Sequence, residues 1–181
     1  MYHGGNQLLD PYIIFDKVHL RDGMHTAVFG VGRTGHLVFP AARVVGERGM
    51  VYAVDILKEN LKEIHKRALL DNLINVHTVW ADVEKLGSAS IPERTVDAVL
   101  MVNLLVHVQN RETALAEAAR LIKDKGRIVV VDWVDTSVFK MNRTLVDFDR
   151  LLSWSREHNF ALQEDFMAGK YHRGIVMYRH D

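Results

Sequence analysis

A glycine-rich loop and an acid that follows it at a fixed distance are the residues whose types and spacing could do chemistry. The loop is Thr26-Ala27-Val28-Phe29-Gly30-Val31-Gly32-Arg33-Thr34-Gly35-His36, and Asp55 comes 25 positions after Gly30. Gly30, Gly32 and Gly35 let a backbone approach a ligand where a Cβ would clash. A carboxylate ending the next strand can accept from both hydroxyls of a ribose. The plainer readings are an ordinary glycine turn in an α/β protein and a solvated strand-end carboxylate. No histidine pair stands at ligand spacing among the ten histidines, so no metal site is expected.

These residues need two strands and a helix to position them. Thr26 to Phe29 reads as a buried strand entering the loop. Leu37, Val38, Ala41, Ala42, Val44 and Val45 give the helix that follows an apolar side. Pro40 is tolerable only within the first turn, where its missing N–H has no partner to lose. The helix is therefore expected to start near His36, with its amino end facing the loop. Gly46 and Gly49 turn the chain into Met50-Val51-Tyr52-Ala53-Val54-Asp55. The whole stretch is the front half of a nucleotide-binding βαβ unit.

The chain has 181 residues, 48% hydrophobic and 25% charged, enough for one domain spanning residues 1–181 with a real core. Lys+Arg and Asp+Glu both number 23, which gives no global electrostatic case for nucleic acid or an anionic membrane. There is no cysteine and no charged-then-apolar leader pattern at Met1 to Asn6, which fits a cytoplasmic protein. The longest apolar stretch, around Ala98 to Val108, is interrupted by Asn103 and His107 and is too short to span a bilayer.

Residues 1–9 read as a loose tail. Asp10-Pro11 suits a helix start, with Ile13, Ile14 and Val18 as its apolar side. Leu57, Leu61, Ile64 and Ala68 recur at helical spacing. Val76 to Trp80 reads as a strand with Ala81-Asp82-Val83 at its end, and residues 84–95 as a loop or short helix. Val96 to Val102 is a near-continuous apolar run, as a strand covered on both faces requires, and ends at Asn103. A helix over 111–123, a turn at Lys123 to Gly126 and a strand from Arg127 to Asp132 follow. A helix over 143–158 precedes two strands, Phe160 to Leu162 and Gly174 to Tyr178, which lie close enough in sequence to pair antiparallel. His107, Trp133 and the Tyr171-His172 pair lie near strand ends, where α/β folds bind ligands, although such residues are more often packing or loop groups. The fold class is α/β: a doubly wound, mostly parallel seven-stranded sheet with helices on both faces and the last strand antiparallel.

This order resembles the class I S-adenosylmethionine-dependent methyltransferases, with a Rossmann-like fold, and is similar to the small members of quinone biosynthesis. The resemblance rests on Gly30-Val31-Gly32, Val51 to Asp55, Ala81-Asp82, Val96-Asp97 through Asn103, and Gly126 to Trp133. It implies S-adenosylmethionine as cofactor. It sets the loop glycines against the methionine end, Asp55 and its neighbour Ile56 at the ribose, Asp82 and Val83 at the adenine, and Asn103 beside the methionine moiety. Two departures stand out. The family usually carries an acid two residues before the first glycine, where this chain has Val28, and Gly35 comes one residue late. The resemblance implies methyl transfer to a small-molecule acceptor. A catalytically silent binding or scaffold relative is the second reading, supported by Val28 and the longer loop. A dinucleotide protein of the NAD type is the third, because Gly30-x-Gly32-x-x-Gly35 has that spacing. A sulfonium already activates its methyl group, so such an enzyme mainly aligns the acceptor and excludes water. No catalytic residue is assigned on the sequence.

Overall fold

Parallel strands covered on both faces need continuous apolar runs, and the chain supplies them as β1 (His25–Phe29), β2 (Met50–Asp55), β4 (Val96–Val102) and β5 (Ile122–Trp133). The computed structural model describes residues 9–134 and 144–180. β3 (Val76–Trp80), β6 (Phe160–Met167) and β7 (His172–Arg179) complete one sheet of order β3-β2-β1-β4-β5-β7-β6. β1 to β5 pair in parallel, and β7 runs antiparallel to both β5 and β6. The short β6–β7 connection allows only that antiparallel return. The expected doubly wound sheet with an antiparallel closing strand is the one observed.

Helices α1 (Pro11–Lys17), α2 (Val38–Val45) and α3 (Lys58–Leu70) cover one face, where Ile14, Phe39 and Ile64 pack on Val28, Leu100 and Val129. Helices α4 (Arg111–Leu121) and α5 (Phe148–Glu157) cover the other, where Leu115 and Trp154 pack on Phe29, Met101 and Ile128. Alternate residues of each strand serve alternate faces. Val28, Val131 and Val176 thus face α1 to α3, while Phe29, Val130 and Ile175 face α4 and α5.

Several expectations change in detail. Residues 1–8 of the expected tail lie outside the described residues, but Leu9 is buried in the core. Asp10 does cap α1, accepting from the Tyr12 amide at 2.9 Å, yet Ile13 points outward and Phe15 takes its place inside. Helix α2 starts at Val38, not His36, because the longer loop uses up the intervening residues; Pro40 still falls in the first turn. The turn expected at Lys123 to Gly126 is an excursion within β5. Val96 pairs with Ile122 and the next pairing is Ala98 with Arg127, while Lys125 adopts φ 66°. Helix α5 starts at Phe148 rather than 143, and β6 runs on to Met167. Residue 143 lies outside the described residues.

Residues 84–95 form no regular element. They are held by Glu117, a fully buried carboxylate on α4 that accepts from the Gly87 amide at 2.7 Å and the Ala89 amide at 3.0 Å. Arg120 donates to the same carboxylate at 2.8 Å. Burial pushes the Glu117 carboxyl up, but the Arg120 and backbone bonds together hold it below the usual carboxylate range.

Candidate functional site

The carboxyl edge of the parallel strands carries two cavities that meet at one residue, Gly30. The first, about 140 Å³, is lined by Asp55, Ile56, Asp82, Val83 and His107 together with Gly30. The second, about 320 Å³, is lined by Val28, Gly30, Gly32, Asn103, Trp133 and His172, among others.

Gly30 continues the β1–β2 ladder by donating to Val54 O at 2.8 Å, and its φ of 73° then bends the chain away. A Cβ there would lie 2.8 Å from Leu104 Cδ1, a neighbour on the wall of the smaller cavity. Gly32 (φ 60°) faces open space, since a Cβ built on it meets nothing within 4 Å. Gly35 differs. It lines neither cavity, and a Cβ there would lie 2.5 Å from both Ile64 Cδ1 and Phe39 Cε2. Its small size therefore serves the packing of α2 and α3. Arg33 is exposed and lines neither cavity.

Asp55 ends β2, is nearly buried, and organises the loops around it. Its Oδ1 accepts from the Leu57 amide at 2.8 Å. Its Oδ2 accepts from the Gly32 amide at 3.1 Å and from Asn60 Nδ2 at 3.2 Å. The same carboxylate that could take ribose hydroxyls thus ties the glycine loop to the start of α3. Ile56 is exposed beside the cavity, and its carbonyl is fixed by Trp80 Nε1 at 2.9 Å. Asp82 accepts from the Glu84 amide at 3.1 Å and pairs with Lys85 at 3.2 Å. It caps its own turn and lines the cavity at once, so the plain and the functional readings coexist in one side chain.

Asn103 follows β4 with φ 52°, a left-handed conformation that asparagine tolerates better than most residues. Its amide donates to Val131 O at 2.8 Å, while its side-chain Oδ1 is buried without a partner. Across the sheet, Trp133 and His172 are paired in the β5–β7 register and their rings lie 4.0 Å apart between centroids. Strand alternation puts both on the same face as Val28. Asp132 falls on the opposite face. It is fully buried, accepts from the Trp133 amide at 2.9 Å and the Val106 amide at 3.2 Å, and its carboxyl is pushed up to about 6 by burial.

The sequence reading brought Gly30, Gly32, Asp55, Ile56, Asp82, Val83 and Asn103 to these cavities. It named the Tyr171-His172 pair as a candidate pocket lining without saying which of the two aims inward; His172 is the one that lines the larger cavity. Only the β5–β7 register discloses that aim, and register between distant strands is not written in local patterning. Among the described residues, no group of His, Asp or Glu could hold a metal ion. Glycines that leave open space, a strand-end carboxylate and unpaired polar atoms at the far end fit an elongated nucleoside carrying a polar tail.

Comparison with known proteins agrees with this geometry. The chain is 34% identical over 104 residues to the ubiquinone/menaquinone biosynthesis C-methyltransferase UbiE of Azotobacter vinelandii, which covers 56% of this chain and 40% of that protein. The chain spans about two fifths to half the length of the curated relatives it matches. A SAM-dependent methyltransferase from Aquifex aeolicus superposes with a TM-score of 0.83 at 20% identity, covering 97% of this chain and 93% of that one. The cyclase SpnF superposes at 0.78 with 12% identity, covering 94% and 79%. The family model described as "Methyltransferase domain" matches residues 28–130, from the strand before the glycine loop to the middle of β5. With more than half of its length so matched, and with the cavities arranged as above, the chain belongs to the class I S-adenosylmethionine-dependent methyltransferase family.

Proposed function

We propose that the protein transfers a methyl group from S-adenosylmethionine to a small-molecule acceptor. The observation that carries this reading is Gly30, which lines both cavities, so that an elongated ligand laid across it reaches Asp55 and Asp82 on one side and Asn103 on the other. Asp55 is the residue for the ribose hydroxyls, with Ile56 beside it. Asp82 and Val83 line the adenine end. Gly30 and Gly32 leave room for the backbone to approach, and Asn103 borders the methionine end. Bound S-adenosylmethionine would supply a methyl group already activated on a sulfonium. The chain's remaining task is to exclude water and orient the acceptor. Val28, Val31, Leu37, Val102 and Trp133 give the larger cavity the apolar wall for this.

The name of the UbiE relatives suggests carbon as the acceptor atom, and methyl transfer to carbon of a small aromatic acceptor is the finer form of the proposal. A binding-only relative is the second reading. It is favoured by Val28 at the position of the family's acid and by the longer glycine loop. Incubating the protein with methyl-labelled S-adenosylmethionine and a panel of small phenols and quinols tests the two. Label in an extractable small product supports the enzyme. Saturable cofactor binding with no label transferred to any acceptor, or to components of a cell extract, favours the binding module.

A further inference from the structure

Among the described residues, three polar side-chain atoms are buried with no hydrogen-bond partner: Asn103 Oδ1 and both ring nitrogens of His172. Each such atom costs on the order of 1–3 kcal/mol when left unpaired, and a folded chain keeps them where something else completes the bond. Both residues line the larger cavity. His36 lines it too but is already committed, with Nε2 at 2.8 Å from Leu9 O. His172 is held in place by Trp133 and is 1% exposed, so water does not readily satisfy it.

None of the described residues that line the cavity carries a carboxylate. Val28, 1% exposed, lines it at the position where the family's acid stands. Asp132 serves backbone amides on the other face, and Asp55 lines the other cavity. Among the described residues, a cation entering this space therefore finds the unpaired side-chain acceptors of Asn103 and His172 and no anion. Burial lowers the His172 ring below the ordinary histidine range, which keeps it neutral. A neutral imidazole keeps one nitrogen lone pair for accepting a hydrogen bond, and an asparagine side chain offers its carbonyl oxygen. A protonated ring would instead repel the cation.

We propose that Asn103 Oδ1 and the ring of His172 together receive the α-ammonium of the amino-acid end of S-adenosylmethionine, replacing the carboxylate that β1 lacks. The inference rests on the methyltransferase reading of the site. It makes Val28 a relocation of the ammonium contact to β4 and β7, not a mark of lost binding.

The test compares two ligands by calorimetry. S-adenosylhomocysteine carries the ammonium; 5′-methylthioadenosine shares the adenosine and lacks the amino-acid end. His172→Phe keeps a ring against Trp133 and removes both nitrogens. It is expected to weaken S-adenosylhomocysteine about tenfold or more, the size of a lost bond to a charged group, and to leave 5′-methylthioadenosine unchanged. Equal weakening of both ligands, or of neither, overturns the proposal. Asn103→Asp, which keeps a residue tolerant of the left-handed backbone, is expected to tighten S-adenosylhomocysteine alone. It decides the matter if His172→Phe does not fold, and an unchanged or weakened affinity in Asn103→Asp counts against the proposal. If the natural protein binds neither ligand, the methyltransferase reading itself fails, an outcome distinct from the others.

Discussion

At the scale of the residue, the candidate site is built from side chains that hold the protein together while lining a cavity. Asp55 accepts three hydrogen bonds from its own chain, one of them from the amide of Gly32. Asp55→Asn puts an amide nitrogen where a donor already points. We expect it to lose about 1–3 kcal/mol of stability and at least roughly tenfold in affinity for S-adenosylhomocysteine, read by melting and calorimetry on one preparation. Loss of affinity with unchanged melting would mean that the carboxylate acts on the ligand alone. Unchanged affinity in a folded variant would remove its role in the site. Asp132 makes a different prediction. Its carboxyl is pushed up to about 6 by burial, above the ordinary value of 3.8. A raised carboxyl favours the folded state below about pH 4 and loses that contribution as pH climbs through 6. The stability of the natural protein relative to Asp132→Asn should therefore fall by about 2–3 kcal/mol between pH 4 and pH 7. Urea denaturation of both proteins across that range checks it, and a difference independent of pH would contradict it.

At the scale of the element, the glycine loop divides its labour. Gly35 has neighbours 2.5 Å from any added Cβ, whereas Gly32 has open space, and both have positive φ. Gly35→Ala is expected to cost about 2–4 kcal/mol from overpacking between α2 and α3 plus backbone strain. Gly32→Ala is expected to cost only the strain, about 1–2 kcal/mol, but to weaken ligand binding in the cavity that it lines. Thermal melts and binding isotherms of the two variants should thus rank in opposite orders; the same order in both would show that the glycines share one role. The same elements show what was legible beforehand. Apolar runs such as Val96–Val102 gave the strands, because a strand covered on both faces needs them. Spaced apolar residues gave α3, and the near-adjacent last strands gave the antiparallel return. Boundaries were poorer. The loop consumed the residues through Leu37 before α2 could start, and Phe15 rather than Ile13 turned inward. The inward aim of His172 on β7 was the least legible. His172 enters the cavity through its pairing with Trp133, which joins positions far apart in the chain.

At the scale of the whole molecule, the sheet order places β1 and β4 side by side and β7 beside β5, so Val28, Asn103 and His172 converge on one edge from three strands. Helices close both faces and leave the carboxyl edge for binding, the place where open α/β sheets take ligands. No helix among the described residues is long and apolar enough to cross a membrane. In the proposed function the strand ends take the nucleoside and its tail, and the residues around the larger cavity take the acceptor. The central claim is that this edge is one continuous site for S-adenosylmethionine. Isothermal titration of the natural protein with S-adenosylhomocysteine, and separately with NAD, tests it most directly. The account predicts saturable binding of S-adenosylhomocysteine at one molecule per chain and none of NAD. Binding of NAD in its place, or of neither ligand to the folded protein, would contradict it.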